Sequence, residues 1–186
     1  MVTRESSTGH WDEHDFRIVF LQHYPLIIAI LVRLLGDRSR AEEVANDAFW
    51  RLYRQPALQT DFRNGGSNVG GWVYRTATNL GIDALRAADR RRQHEATAGR
   101  QDNDRTTSGP LDFLLREERR GRVRAVLASI KPAQAQLLIL RTSGFSYKEL
   151  AEALDVKMTG IGTMLNRAEA EFRNQYLALY PHEEGL

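Results

Sequence analysis

The sequence predicts an all-α protein made of two small helical domains joined by a flexible linker, the second a four-helix domain built around a helix-turn-helix. Three observations predict it. Apolar residues recur at helical spacing through most of the chain, and no stretch sustains the period-two alternation of β-branched residues that marks a strand. From Gln93 to Pro110 the apolar residues almost vanish and Ser, Thr, Asp, Asn, Gln and Gly take over, a composition that buries too little surface to order itself. Beyond it, two helical patterns meet at a short turn. The expected division is residues 12–92, a linker at 93–110, and residues 111–180.

The first pattern places Phe16, Val19, Phe20 and His23 on one face. Pro25 then either restarts the helix as a first-turn residue or kinks it before Leu26, Ile27, Ile30, Leu31, Leu34 and Leu35. Gly36-Asp37 ends that run. Ser39-Arg40-Ala41-Glu42 has the form of a capping box, and predicts a helix carrying Ala41, Val44, Ala45, Ala48, Phe49, Leu52 and Tyr53 inward until Pro56. Its outer face is Glu42, Glu43, Asn46, Asp47, Trp50 and Arg51. Thr60 to Gly71 is dense in Gly, Asn and Ser and reads as a loop. A helix from about Gly71 presents Val73, Ala77, Leu80, Ala84 and Ala88 inward and ends at Arg90-Arg91-Arg92.

In the second half, Leu115, Val123, Val126, Leu127 and Ile130 predict a helix that ends at Lys131-Pro132. The next carries Leu137, Leu138 and Leu140 to Gly144, a suitable C-terminal cap. Ser146-Tyr147-Lys148-Glu149 is a second capping box, and Asp155 sits where the chain must turn and tolerates the left-handed conformation. Thr159 is the expected N-cap of a last helix reaching Tyr180-Pro181. Ala151, Asp155, Val156 and Ile161 have helix-turn-helix spacing: a small residue at the crossing, a turn four residues on, then an apolar anchor. An ordinary αα-hairpin shares that spacing.

Composition sets the outer bounds. The chain has 186 residues, 42% of them hydrophobic, enough for packed cores. It has no cysteine, which excludes disulfides, thiolate zinc sites and cysteine nucleophiles. The five histidines form no HExxH or comparable pattern, so no metal, cofactor or catalytic residue is expected. No apolar run approaches the roughly 18 to 20 residues that a membrane span needs, and a soluble, cytoplasmic protein without membrane insertion is the expectation. With 26 Lys plus Arg against 24 Asp plus Glu, the net charge of +2 does not by itself argue for nucleic acid.

The distribution of residues makes that argument. Phe62, Trp72 and Tyr74 lie among Arg63, Arg75 and Arg86, with Asn64, Asn68 and Asn79 able to read base edges. Single-stranded DNA is held by aromatic platforms interleaved with cations, so a melted or flipped base beside the loop is expected. The alternative is that Trp72 and Phe62 belong to a core and the arginines to a solvated face. The carboxylate and amide face Glu42, Glu43, Asn46 and Asp47 is either solvated or a docking surface for a basic protein.

Two segments and the turn motif together resemble a known family. Leu34-Leu35-Gly36-Asp37, Ala41-Glu42-Glu43-Val44 and Phe49 resemble the polymerase-binding helix of extracytoplasmic-function sigma factors. Trp72-Val73-Tyr74-Arg75-Thr76-Ala77-Thr78-Asn79, Ile82-Asp83 and Leu85-Arg86 resemble their minus-10 signature. Gly144-Phe145-Ser146-Tyr147-Lys148-Glu149-Leu150-Ala151 resembles the opening of their promoter-reading helix-turn-helix. The resemblance covers nearly the whole chain in the family's order. It implies a transcription initiation factor that binds core RNA polymerase and is not an enzyme. Docking on the polymerase clamp helices would fall to Asp37, Glu42, Glu43, Asn46, Asp47, Trp50 and Arg51. The minus-10 element would fall to Phe62, Arg63, Asn64, Trp72, Tyr74, Arg75, Asn79, Asp83 and Arg86. The second domain would sit on the polymerase flap and read the minus-35 element with Ser146, Tyr147, Lys157, Thr159, Thr163, Asn166 and Arg167. An anti-sigma partner that clamps both domains is also implied.

The recognition helix departs from the family pattern. Gly162 and Met164 stand where cations are usual, and Glu169 replaces another, so low duplex affinity is expected of this domain alone. Asn46 for Gln and Lys131-Pro132 for Leu-Pro are milder changes. A helix-turn-helix regulator acting without polymerase is the alternative, and it leaves the acidic helix and aromatic loop without a role. A nucleic-acid enzyme would need a nucleophile, metal ligands or a phosphate-cradling Gly loop that the sequence lacks.

Overall fold

The computed structural model describes residues 11–63, 68–97 and 111–181. Among these every regular element is an α-helix: α1 (Glu13–Leu35), α2 (Arg38–Tyr53), α3 (Pro56–Arg63), α4 (Val69–Thr97), α5 (Leu111–Ser129), α6 (Pro132–Thr142), α7 (Tyr147–Leu154) and α8 (Met158–Leu179). Most of the expected linker, residues 98–110, lies outside the described residues, and α4 runs past Arg92 through Thr97.

α1 is continuous through Pro25 rather than restarting there. It ends at Gly36, whose φ of 75° is the left-handed cap and whose N–H donates to the Val32 carbonyl. The N-cap of α2 is Asp37, not the expected Ser39: its carboxylate accepts from the N–H groups of Ser39 (2.8 Å) and Arg40 (3.3 Å). The reversal at Gly36 leaves Asp37 extended with φ −132°, and a carboxylate at that end also meets the positive pole of the helix. Residues 60–63, expected as loop, belong to α3, for which Pro56 is a first-turn residue rather than merely a stop. In the second half the Ser146/Glu149 capping box forms as expected, and Asp155 takes the left-handed conformation at φ 56°. α8 starts two residues earlier than expected: Lys157 is its N-cap, without a side-chain cap bond, and Thr159 is inside the helix.

Two cores result. Ile27 and Leu31 of α1, Ala41, Ala45, Phe49 and Leu52 of α2, and Val73 and Ala77 of α4 form the first. Phe49 is its largest fully buried side chain, ringed by Phe16, Phe20 and Tyr24 at centroid distances of 6.3, 4.8 and 5.8 Å. By length and composition α1 could cross a membrane, which corrects the expectation of no such stretch; here its apolar face serves as the spine of this core. Gly81 lets α4 approach it, since a Cβ there would lie 2.7 Å from Leu31 and 2.8 Å from Leu34. The second core joins α5, α6, α7 and α8 through Val126, Ile130, Leu137, Leu140, Leu150, Ile161 and Leu165. It continues into Ile30 and Leu34 of α1 and Ile82 and Leu85 of α4, so the two halves pack against one another along α4.

Gly160 and Gly162 lie in the first turns of α8 with room for a methyl group: a Cβ added at Gly160 would meet nothing within 4 Å, and one added at Gly162 would lie 3.8 Å from the Tyr147 ring. Replacing either by Ala should raise stability by about 0.5–1 kcal/mol. A thermal melt should show each variant about 1–4 °C higher.

Candidate functional site

The outer face of α2 is exposed from Glu43 to Arg51, because Ala41, Val44, Ala45, Ala48, Phe49 and Leu52 take the inner positions. Each carboxylate has an arginine one turn away on the same helix: Arg38–Glu42 at 2.9 Å, Arg40–Glu43 at 2.6 Å and Arg51–Asp47 at 3.1 Å. The face is therefore a mixed lattice of charge rather than a bare acidic stripe, and such exposed pairs exchange readily for other partners. Trp50 stacks on Tyr53 with ring centroids 5.8 Å apart, yet is 57% exposed. A large apolar ring framed by charges is the usual make-up of a docking anchor.

The expected minus-10 residues do not share one surface. Phe62 packs on Trp11 at 5.7 Å, and Trp11 Nε1 donates to the Gln55 carbonyl at 2.9 Å, so this pair anchors α3. Arg63 is held by Asp15 and, at 3.8 Å, by Asp12. Burial opposes ionisation of Asp15, but bonds from Arg63 and Gln59 prevail and hold its carboxyl below the usual range. Asn64 lies outside the described residues.

On α4 the spacing 72, 76, 79, 83 makes one helical face. Trp72, Asn79 and Asp83 look from it into an open groove of about 580 Å³, whose other wall is Arg51, Arg54 and Gln55. Arg51, expected to serve polymerase docking, thus also lines this groove, and Arg54 and Gln55 join it without any motif in the sequence to mark them. The opposite face of α4 meets the second half of the chain. Tyr74 stands edge-on to Phe145 at 4.8 Å and shares a hydrogen bond with His23 Nδ1 at 3.0 Å. Burial holds the His23 imidazole below its ordinary pKa, and burial followed by the charge of Glu149 pushes the Tyr74 phenol up. Gln136 Nε2 donates to the Arg75 carbonyl (2.9 Å) and to Thr78 Oγ1 (2.7 Å). The Arg86 guanidinium donates to the carbonyls of Ala128 (3.1 Å) and Ile130 (2.5 Å).

The helix-turn-helix is α7 and α8. Ala151 and Ile161 are buried where the helices cross, and the Val156 N–H donates to the Ala151 carbonyl across the turn. Ser146 is engaged by its cap, and its donation holds the Glu149 carboxyl below the usual range. Tyr147 is exposed beside the Arg141 guanidinium at 5.5 Å. Lys157, Thr159, Thr163, Asn166 and Arg167 are all exposed, and 159, 163, 166 and 167 share one face of α8. On the far side of this domain Val123, Leu127, Leu138 and Phe172 line an apolar groove of about 400 Å³. Among the described residues no group of three His, Asp or Glu is placed to hold a metal.

Residues 19–91 match the family model described as Sigma-70 region 2, and residues 120–172 match that of Sigma-70, region 4. The chain is 27% identical over 181 residues to the ECF RNA polymerase sigma factor SigE of Mycolicibacterium smegmatis, covering 96% of itself and 66% of that relative. It is 27% identical over 156 residues to the RNA polymerase sigma factor YlaC of Bacillus subtilis, covering 83% of itself and 88% of that protein. A solved structure of the sigma factor RpoE in complex with the anti-sigma factor NepR from Bartonella quintana is similar at a TM-score of 0.45 and 18% identity, over 91% of this chain and 99% of that one. With both conserved regions present in order and sigma factors among its relatives, the chain belongs to the sigma-70 family, in its extracytoplasmic-function branch.

Proposed function

We propose that this chain binds core RNA polymerase and directs it to promoters, using three exposed faces on three different helices. The observation that carries the reading is that the α2 face, the α4 groove and the α8 face are all open and chemically distinct, the first two adjoining at Arg51. Residues 12–92 act as the polymerase-binding and minus-10 domain, and residues 111–180 as the minus-35 domain.

The α2 face, with Trp50 as anchor and Glu42, Glu43, Asn46 and Asp47 around it, docks on the basic clamp helices. Asp37 shapes its start. The α4 groove takes melted minus-10 DNA: a base stacked on Trp72 would contribute about 1–3 kcal/mol, Asn79 and Asp83 face base edges, and Arg51 and Arg54 meet phosphates. Thr163 and Asn166 are placed to read the minus-35 duplex, with Lys157 and Arg167 on its backbone. The apolar groove between α5, α6 and α8 receives the polymerase flap. The role is one of recruitment rather than catalysis, exercised in the cytoplasm, and an anti-sigma protein that engages both domains completes the set of partners.

Co-purification tests the reading. The purified chain should form a stable complex with bacterial core polymerase and bind duplex DNA weakly without it. Tight sequence-specific DNA binding by the chain alone, with no affinity for core, would favour a regulator that acts without polymerase.

A further inference from the structure

We propose that the arginine-lined pocket where α4 meets α5 and the turn between α1 and α2 binds a small organic polyphosphate, a nucleotide-sized anion carrying two or more phosphates. Arg91, Arg92 and Arg124 of this pocket have no place in the three faces assigned above. The site does not depend on the sigma-factor reading and is tested without polymerase.

The pocket holds about 450 Å³ and takes its walls from both halves of the chain, a volume within the range of small-molecule sites. Four guanidinium groups line it, those of Arg40, Arg91, Arg92 and Arg124, against one carboxylate, Asp37. That carboxylate is committed to the N–H groups of Ser39 and Arg40. Carboxylates at the rim do not balance the excess. Arg40 pairs with Glu43 at 2.6 Å and Arg92 with Asp89 at 3.2 Å, and such solvent-accessible pairs exchange readily for a stronger partner. Glu117 is shared between Arg120 and, at 3.7 Å, Arg124.

Arg124 selects the kind of anion. Its side chain is only 18% exposed and lies against Gly36, where a Cβ would stand 2.9 Å from its Cζ, so the glycine that caps α1 also makes room for the guanidinium. Burial disfavours the charge of Arg124, Glu117 favours it, and Arg92 and Arg120 disfavour it again; the balance holds its pKa below the ordinary arginine range. Arginine stays ionised even so, which leaves a recessed cation crowded by like charges that a polyanion would relieve. Guanidinium forks match phosphate oxygens two at a time, and Leu35, Leu85 and Ala88 beside them offer an apolar floor to the organic part of the ligand. A duplex backbone lying across the rim would meet the exposed Arg91 and Arg92 and leave the recessed Arg124 without a partner, whereas a small anion reaches all three. Arg124 comes from α5 and the other arginines from the first half, so the ligand touches both sides of the seam between the halves and by linkage favours their packed form.

Calorimetric titration of the full chain with ATP, AMP and adenosine, at physiological ionic strength and without divalent cations, tests the site. ATP should bind, AMP should bind about tenfold or more weakly for want of the charge-assisted bonds to the further phosphates, and adenosine should give no measurable heat. Arg91→Gln and Arg124→Gln each remove one charge and should each weaken ATP about tenfold or more. Arg17→Gln removes the same charge from α1 at about 27 Å from Leu35 along a helix rising 1.5 Å per residue. It should leave ATP affinity within about twofold, because salt screens a charge at that distance. Arg91 is exposed on α4, so its variant keeps the test decisive should a thermal melt show Arg124→Gln to be poorly folded. Three results would each overturn the proposal. One is a folded wild-type chain that binds neither ATP nor inorganic tripolyphosphate at millimolar concentration. Another is an equal loss of ATP binding in all three variants, the mark of non-specific attraction. The third is ATP binding untouched by Arg91→Gln while binding to a short DNA duplex falls, which would give these arginines to the DNA backbone.

Discussion

Reversing two charges on α2, Glu43→Arg together with Asp47→Arg, should weaken binding to core polymerase about a hundredfold or more while leaving the protein folded. Placing like charges against a basic partner costs several kcal/mol, and each 1.4 kcal/mol is tenfold in affinity. Stability changes less because both carboxylates are exposed and their partners, Arg40 and Arg51, are one turn away. Such pairs are worth about 0.3–0.5 kcal/mol each, with repulsion of similar size after reversal. The double variant should therefore lose about 1–2 kcal/mol. Equilibrium binding to immobilised core, paired with a thermal melt, separates the two effects. A well-folded variant with wild-type affinity would place the docking surface elsewhere.

Phe49→Ala should be the most damaging single truncation in the first domain. Phe49 is 2% exposed and ringed by Phe16, Phe20 and Tyr24, and deletion of a buried Phe costs about 3–5 kcal/mol from the lost transfer energy and the remaining cavity. The melting temperature should fall by about 6–20 °C. Its neighbour Trp50 points outward and should behave oppositely. Trp50→Ala should leave the melt within about 2 °C and reduce core affinity about tenfold or more, as removal of an anchor does. If Trp50→Ala destabilises as Phe49→Ala does, Trp50 is part of the core and not a docking residue.

Much of this organisation is legible in the sequence because it depends on local chemistry. The Ser146 capping box and the left-handed Asp155 are set by side chains acting on their own backbone, and Ala151 and Ile161 meet as their spacing requires. Where two local signals compete, the pattern misleads. Ser39 has the right partner for a capping box, but Asp37 follows the Gly36 reversal and takes the cap first. Thr159 is a better capping residue than Lys157, yet the chain leaves the Asp155 turn already in helical register.

Residue type alone puts the aromatic, Arg and Asn side chains in one site, and the fold divides them by angle. Trp72, Asn79 and Asp83 fall on one face of α4, while Tyr74, Thr78, Ile82 and Leu85 fall on the other. A helical wheel divides the two sets, but nothing local says that the second set faces a domain more than 40 residues away rather than solvent. Gln136 carries no motif signal, and neither the motif that contains Phe145 nor the helical face that carries His23 says that these residues meet across the seam. Thr78 and Gln136 are recognisable as partners from the folded chain alone.

If this chain gives core RNA polymerase promoter specificity, it should set where transcription starts. Core polymerase should be incubated with the chain and fragmented bacterial genomic DNA, and the 5′ ends of the transcripts sequenced against a core-only control. Discrete start sites absent from the control should appear, preceded by two shared elements centred about 10 and 35 base pairs upstream and separated by about 85 Å of duplex. A well-folded chain that yields no start sites beyond those of core alone would contradict it.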